Sequence, residues 1–190
     1  MKKLSNAFSF IFSDDDWFNK VLVGGFFFLL IPLLFGAVMI FGFQVELAKR
    51  IQRNESGMPM WRNFRRIVNS GITTGCAAFF YLSLVLIVLF ILDIGILSLS
   101  GLAVLATVHF VWNPLILTQY AKTGSFYSCL NPLALLRLIA AHIGDYLFIT
   151  FISAFLVIIA VLLGWMWIVV GWTLLIFLAM IVQTVVFAKL

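Results

Sequence analysis

Few side chains in this sequence can do chemistry, and they lie far apart. His109 and Asn113 stand four residues apart in an apolar run, so a helix places them on one face, and Tyr120 continues that face two turns later. Pro114 leaves the carbonyl of Phe110 without its usual donor. Such a face suits a small polar pocket, or a metalloporphyrin ligated by His109. Against the cofactor stands Leu105, which would crowd a large flat ring one turn before His109. The preferred reading is a neutral histidine bonded between helices, with Asn113 satisfying backbone near the kink. His142 and Asp145 lie three apart and suit a proton relay, or a haem ligand from His142. An interfacial pair on a solvated face is the stronger reading.

The remaining polar groups point to structure. Glu46 and Arg50 are four apart, in the order that favours a helical ion pair. Ser13 reads as an N-cap, with Asp14, Asp15 and Asp16 in the first turn of the next helix, where the helix dipole favours carboxylates. Adjacent carboxylates point in different directions, so they do not converge on a cation. Thr73, Thr74, Ser83, Thr150 and Ser153 read as helix-packing groups. Cys76 and Cys129 lack metal-ligand spacing, and no disulfide is expected. No nucleophile elbow, phosphate loop, paired-carboxylate site or zinc spacing occurs. The expectation is a protein that is not an enzyme, with no catalytic residues, no metal and no cofactor.

The cations are concentrated. Lys49, Arg50, Arg53, Arg62, Arg65 and Arg66 fall in one short stretch of a chain whose formal net charge is +5. They are candidate contacts for anionic lipid head groups or an acidic partner. The plainer reading is a cytoplasmic loop obeying the positive-inside rule. A short basic stretch in so apolar a chain argues against nucleic acid.

These residues must be positioned by elements suited to lipid. Of the 190 residues, 64% are hydrophobic and 10% charged, with mean hydropathy +1.18. A soluble domain is about half apolar and about a quarter charged. The fold expected is therefore all-α: an integral membrane helical bundle forming a single polytopic domain over residues 1–190, multi-pass in the cell (inner or plasma) membrane. Residues 1–19 form an N-terminal interfacial segment, in which Leu4, Ala7, Phe8 and Ile11 share a helical face. No cleavable signal peptide is expected, because the aspartates follow Lys2 and Lys3 before any long apolar core.

Residues 21–43 are the first hydrophobic segment, interrupted by Pro32 and Gly36. It is either a kinked span or a re-entrant hairpin of half-length helices. Residues 44–70 form the basic cytoplasmic loop and an amphipathic elbow, with Trp61, Phe64, Ile67 and Val68 opposite Arg62, Arg65 and Arg66. Spanning helices are expected over 71–92, 97–118, 146–163 and 166–187, about the length a bilayer requires. A second polar elbow over 119–145 carries Lys122 and Arg137, with a helix opening after Asn131-Pro132. The turns near Asp93 and Gly164 carry no Lys or Arg and should face outward, with Trp165 and Trp167 at the second tip.

One pattern is familiar. Gly42-Phe43, Glu46, Arg50, Gly57, Pro59, Trp61 and Gly71, followed by Tyr120-Ala121, Gly124-Ser125-Phe126 and Gly144-Asp145-Tyr146, resemble the family called domain of unknown function 4013. The resemblance covers nearly the whole chain, with Phe43 standing where the family has Tyr and Met58 where it has Leu. It implies a small polytopic membrane protein of bacteria or archaea, and no catalytic residues. The function expected is a non-enzymatic structural or accessory subunit, in contact with membrane lipids and other membrane subunits. The alternatives are a small transporter or lipid-handling protein, and a pigment- or haem-binding subunit using His109 or His142.

Overall fold

The computed structural model describes residues 2–95, 98, 100, 101, 104, 112–141, 143–164 and 170–188. Every regular element among them is helical. The first, α1 (Lys2–Phe12), has the amphipathic face expected of it. Ala7 and Ile11 on that face are fully buried, and the helix packs on α9 (Val170–Phe187). These two side chains are therefore covered by protein, and Phe8 beside them is only partly buried.

The first hydrophobic segment is broken in two. Helix α2 (Trp17–Leu29) gives way to a 3-10 turn over Ile31–Leu33, and α3 (Phe35–Gln52) follows. Pro32 has no N–H to continue the ladder, and Leu34 takes a left-handed φ of 59°. The chain then folds back. Phe35 meets Phe27 with ring centroids 5.9 Å apart. Gly36 lies so close to the last turn of α2 that a Cβ there would sit 2.0 Å from the Phe27 carbonyl oxygen. At the other end of the hairpin, Lys20 reaches Met58, just beyond α3. The 13 residues of α2 make a helix of about 20 Å, short of the roughly 30 Å hydrocarbon core.

Helix α3 runs further than expected. Residues 44–52 continue it instead of opening the loop, because Val45, Leu47 and Ala48 are fully buried. The next helix, α4 (Phe64–Ile91), begins before residue 71 and absorbs the amphipathic elbow into its first turns. Only residues 53–63 remain as loop. Ile67 is buried in the α3–α4 contact, and Phe64 stays half exposed. That contact is a backbone seam. A Cβ on Gly42 would fall 1.9 Å from the Ile67 carbonyl oxygen, and one on Gly71 would fall 1.9 Å from that of Val38. No side chain fits at either crossing point.

With 28 residues, α4 is about 42 Å long. It is the one helix, among the described residues, long and apolar enough by itself to cross a membrane. Of the expected 97–118 span, the described helix is α5 (Asn113–Thr123), which ends on Gly124 at φ 65°. The second elbow holds α6 (Phe126–Cys129) and α7 (Pro132–Ala141). The Asn131 side chain accepts from the N–H groups of Leu133 and Ala134 and caps α7, with Pro132 opening it as expected. Helix α8 (Ile143–Gly164) contains the expected 146–163 segment and packs along α9. Trp165 and Trp167 lie outside the described residues.

Helix α9 is the hub. It contacts α1, α2, α3, α5 and α8, and Phe177, Ile181, Val185 and Phe187 are buried in the core. Large apolar side chains elsewhere face outward, among them Phe79, Phe90, Leu147 and Phe151.

Candidate functional site at the basic end

The polar residues gather where the α2–α3 hairpin opens. Asp14, in the corner between α1 and α2, is only 8% exposed, and so is Lys20. The Lys20 ammonium donates to both carboxylate oxygens of Asp14, at 2.7 and 2.9 Å, and to the Met58 carbonyl at 3.1 Å. Asp14 also accepts from the backbone N–H groups of Met58 and Asp16. Burial pushes the Asp14 carboxyl up, but the Lys20 bond, the two N–H groups and the Lys20 charge outweigh it and hold the group below its ordinary range. Gly57 makes the approach possible. Its φ is +74°, and a Cβ there would meet an Asp14 oxygen at 3.0 Å.

Trp61 completes this corner. Its indole N–H donates to the Lys20 carbonyl at 3.1 Å, and its ring stacks on Phe43 at 4.3 Å. Phe27 and Phe177 pack against the same ring. A residue expected on an amphipathic surface elbow instead locks the loop onto the hairpin. Ser13 is not the N-cap of α2; its hydroxyl donates back to the Phe10 carbonyl, and α2 starts only at Trp17.

A second cluster joins α3 to α4. Glu46 is 7% exposed, forms an ion pair with Arg66, Nε lying 2.7 Å away, and accepts from Lys49 Nζ at 3.1 Å and Ser70 Oγ at 3.2 Å. The expected Glu46–Arg50 pair does not form. Arg50 turns to Glu55 at 3.1 Å and to the carbonyls of Met58 and Gly57 at 3.0 and 3.3 Å. It sits in the last turn of α3, where the returning loop offers nearer acceptors than Glu46. Arg53 approaches Glu55 at 3.8 Å. Glu46, Lys49, Arg50, Arg53, Glu55, Asn63 and Arg66 line a cavity of about 240 Å³. Arg62 and Arg65 are exposed and take no part in its lining. The basic stretch therefore divides into cations that line the cavity and cations that do not, a split that linear spacing does not reveal.

The expected intramembrane polar face is described only in part. His109 lies outside the described residues, as does His142, and the side chain of Asp145 is not described. Asn113 lines a groove of about 500 Å³ between α3 and α4, among Leu34, Val38, Phe41, Cys76 and Phe79. Tyr120 is at the other end of α5, where Lys49 sits 5.1 Å above its ring centre. Both cysteines are free thiols. Cys129 is buried, with Ile116 and Ser125 carbonyls as acceptors, and burial pushes its thiol up to about 11. Among the described residues, no group of three or more His, Cys, Asp or Glu side chains converges as a metal site would require.

These elements define a helical protein with a broken leading hairpin, a glycine-tight α3–α4 seam and a basic end braced by two buried carboxylates. The chain belongs to the family described as protein of unknown function DUF4013, whose model matches residues 25–170. Comparison with curated proteins and with solved structures gave no match. The matched range contains the seam glycines Gly42 and Gly71, together with Glu46, Arg50, Gly57 and Trp61.

Proposed function

We propose that this chain is a non-enzymatic, multi-pass protein of the cell membrane that serves as a structural or accessory subunit of a larger membrane assembly. In this reading α2 and α3 form a re-entrant hairpin, and residues 71–92, 97–118, 146–163 and 166–187 cross the bilayer. The observation that carries the proposal is the use made of the scarce polar groups. Asp14, Lys20 and Arg50 are taken up in bracing a loop onto helices and Glu46 in joining α3 to α4, while phenylalanines such as Phe79, Phe90 and Phe151 face outward. Such wide apolar exposure is costly in water and suits lipid or neighbouring helices. Sidedness fits as well. Lys20, Arg50 and Arg66 share one end of the bundle with Lys49 and Tyr120, as the positive-inside rule asks of a cytoplasmic face.

Purification from the native membrane in a mild detergent tests the assembly. A second membrane subunit at fixed stoichiometry is expected, and a monodisperse monomer would overturn the accessory role. Solubility in plain buffer without detergent would remove the membrane reading itself.

The groove between α3 and α4 favours a second reading, lipid handling. Its volume lies within the range of small-molecule pockets, and its lining is apolar apart from Asn113 and Cys76. Filling it with Gly75→Phe should abolish lipid exchange in reconstituted vesicles. Unchanged exchange would eliminate this role.

A further inference from the structure

We infer that the cavity lined by Lys49, Arg50, Arg53, Asn63 and Arg66 binds a phosphate group, with a preference for the monoester dianion. Four cations against two carboxylates leave the lining with a formal charge of +2. A phosphomonoester carries close to two negative charges at neutral pH and matches that surplus, whereas a diester carries one. The volume of about 240 Å³ accommodates a head group of that size rather than a large ligand.

The donors are only partly used. Glu46 meets Arg66 most closely at Nε, 2.7 Å away, and among the described residues no hydrogen bond engages the terminal nitrogens of that guanidinium. Arg53 has only the 3.8 Å approach to Glu55, and its side chain is 60% exposed. Each arginine has a carboxylate beside it, closely for Arg66 and loosely for Arg53, and offers a planar fork to an anion. Asn63 precedes α4 without a side-chain bond to that helix, so its amide is available beside the positive end of the α4 dipole. Arg50 contributes charge but few donors, because Glu55 and two carbonyls already engage it.

The phosphate has two possible sources: the head group of a membrane lipid or a soluble phosphomonoester. The lipid source rests on the membrane reading above, and the soluble source does not. The full chain in neutral detergent micelles is titrated, with phosphorus NMR as readout, against short-chain phosphatidate, short-chain phosphatidylglycerol and free glycerol 3-phosphate.

Phosphatidate or glycerol 3-phosphate should bind about tenfold more tightly than the diester, and Arg53→Gln should weaken the monoester about tenfold, the size of one hydrogen bond to a charged group. Arg62→Gln and Arg65→Gln remove the same charge outside the cavity and should change affinity by less than about twofold. Arg66→Gln alone also lowers the formal charge of the lining to +1, which mixes a lost donor with lost charge. The paired Glu46→Gln/Arg66→Gln variant separates the two, because it keeps the +2 balance, and it should still lose monoester binding. Tight binding by phosphatidate alone assigns a lipid head group, and equal binding by glycerol 3-phosphate assigns a soluble ligand. The proposal is overturned if monoester and diester bind alike, or if arginines inside and outside the lining prove interchangeable.

Discussion

Asp14 and Glu46 are both buried carboxylates at the basic end, yet they are built differently. Around Asp14 the circuit is closed. The Lys20 ammonium spends its donors on two carboxylate oxygens and a carbonyl, and both ions are more than nine-tenths covered. Around Glu46 the circuit is open, because Arg66 gives one nitrogen and leaves its side chain 51% exposed. Burial of an acid therefore does not distinguish a brace from a binding site. What distinguishes them is whether the partner cation has donors and surface left over.

The largest expected effect breaks the closed circuit. Asp14→Ala strands a buried ammonium and the Met58 N–H, and should cost about 3–5 kcal/mol, read by equilibrium unfolding in detergent micelles. Arg66→Ala should cost no more than about 1 kcal/mol, because the pair is half solvated and Lys49 still faces Glu46. Equal costs would erase the distinction between brace and site.

Next in size is the seam that holds the open cluster together. Gly71→Ala places a methyl group against the Val38 carbonyl and should destabilise by about 1–3 kcal/mol. Pushing α4 off α3 also draws Ser70 and Arg66 away from Glu46. A double-mutant cycle should therefore couple Gly71→Ala to Glu46→Gln and leave it additive with Asp14→Ala. Coupling to Asp14 instead would mean that the whole basic end moves as one body.

Some of this was legible in the sequence. The break at Pro32–Gly36 follows from a missing donor, and the buried face of α1 follows from spacing. The Asp14–Lys20–Met58 brace was not, because Met58 is 44 residues from Asp14 and no local pattern records the pairing. Trp61 misled for a related reason. An amphipathic tryptophan suits a membrane surface as well as it suits a stack on Phe43, and only tertiary contact decides between them. Periodicity also failed at Glu46, whose i+4 partner was drawn away by a loop that spacing rules do not contain.

Smaller still, Glu46→Gln should cost about 1 kcal/mol, since the amide oxygen still accepts from Ser70 and can accept from Lys49, and the charge lost faces a half-exposed Arg66. This variant sharpens the comparison through binding as well as stability. Removing a carboxylate from the lining should strengthen monoester binding, whereas no change at Asp14 that leaves the fold intact should alter it.

The finest test is by pH. The Asp14 carboxyl titrates below its ordinary value of 3.8 in the folded chain, so the unfolded chain takes up its proton first as acid is added. The stability this group supplies is complete above 3.8 and is lost as pH falls through the lower folded value. Other carboxylates titrate in the same range, so wild type must be compared with Asp14→Asn. The stability gap between the two should hold constant from neutral pH to mild acid and then close as the folded carboxyl is protonated. A gap that stays flat through strong acid would mean that packing around Asp14, rather than its charge, holds the loop to the hairpin.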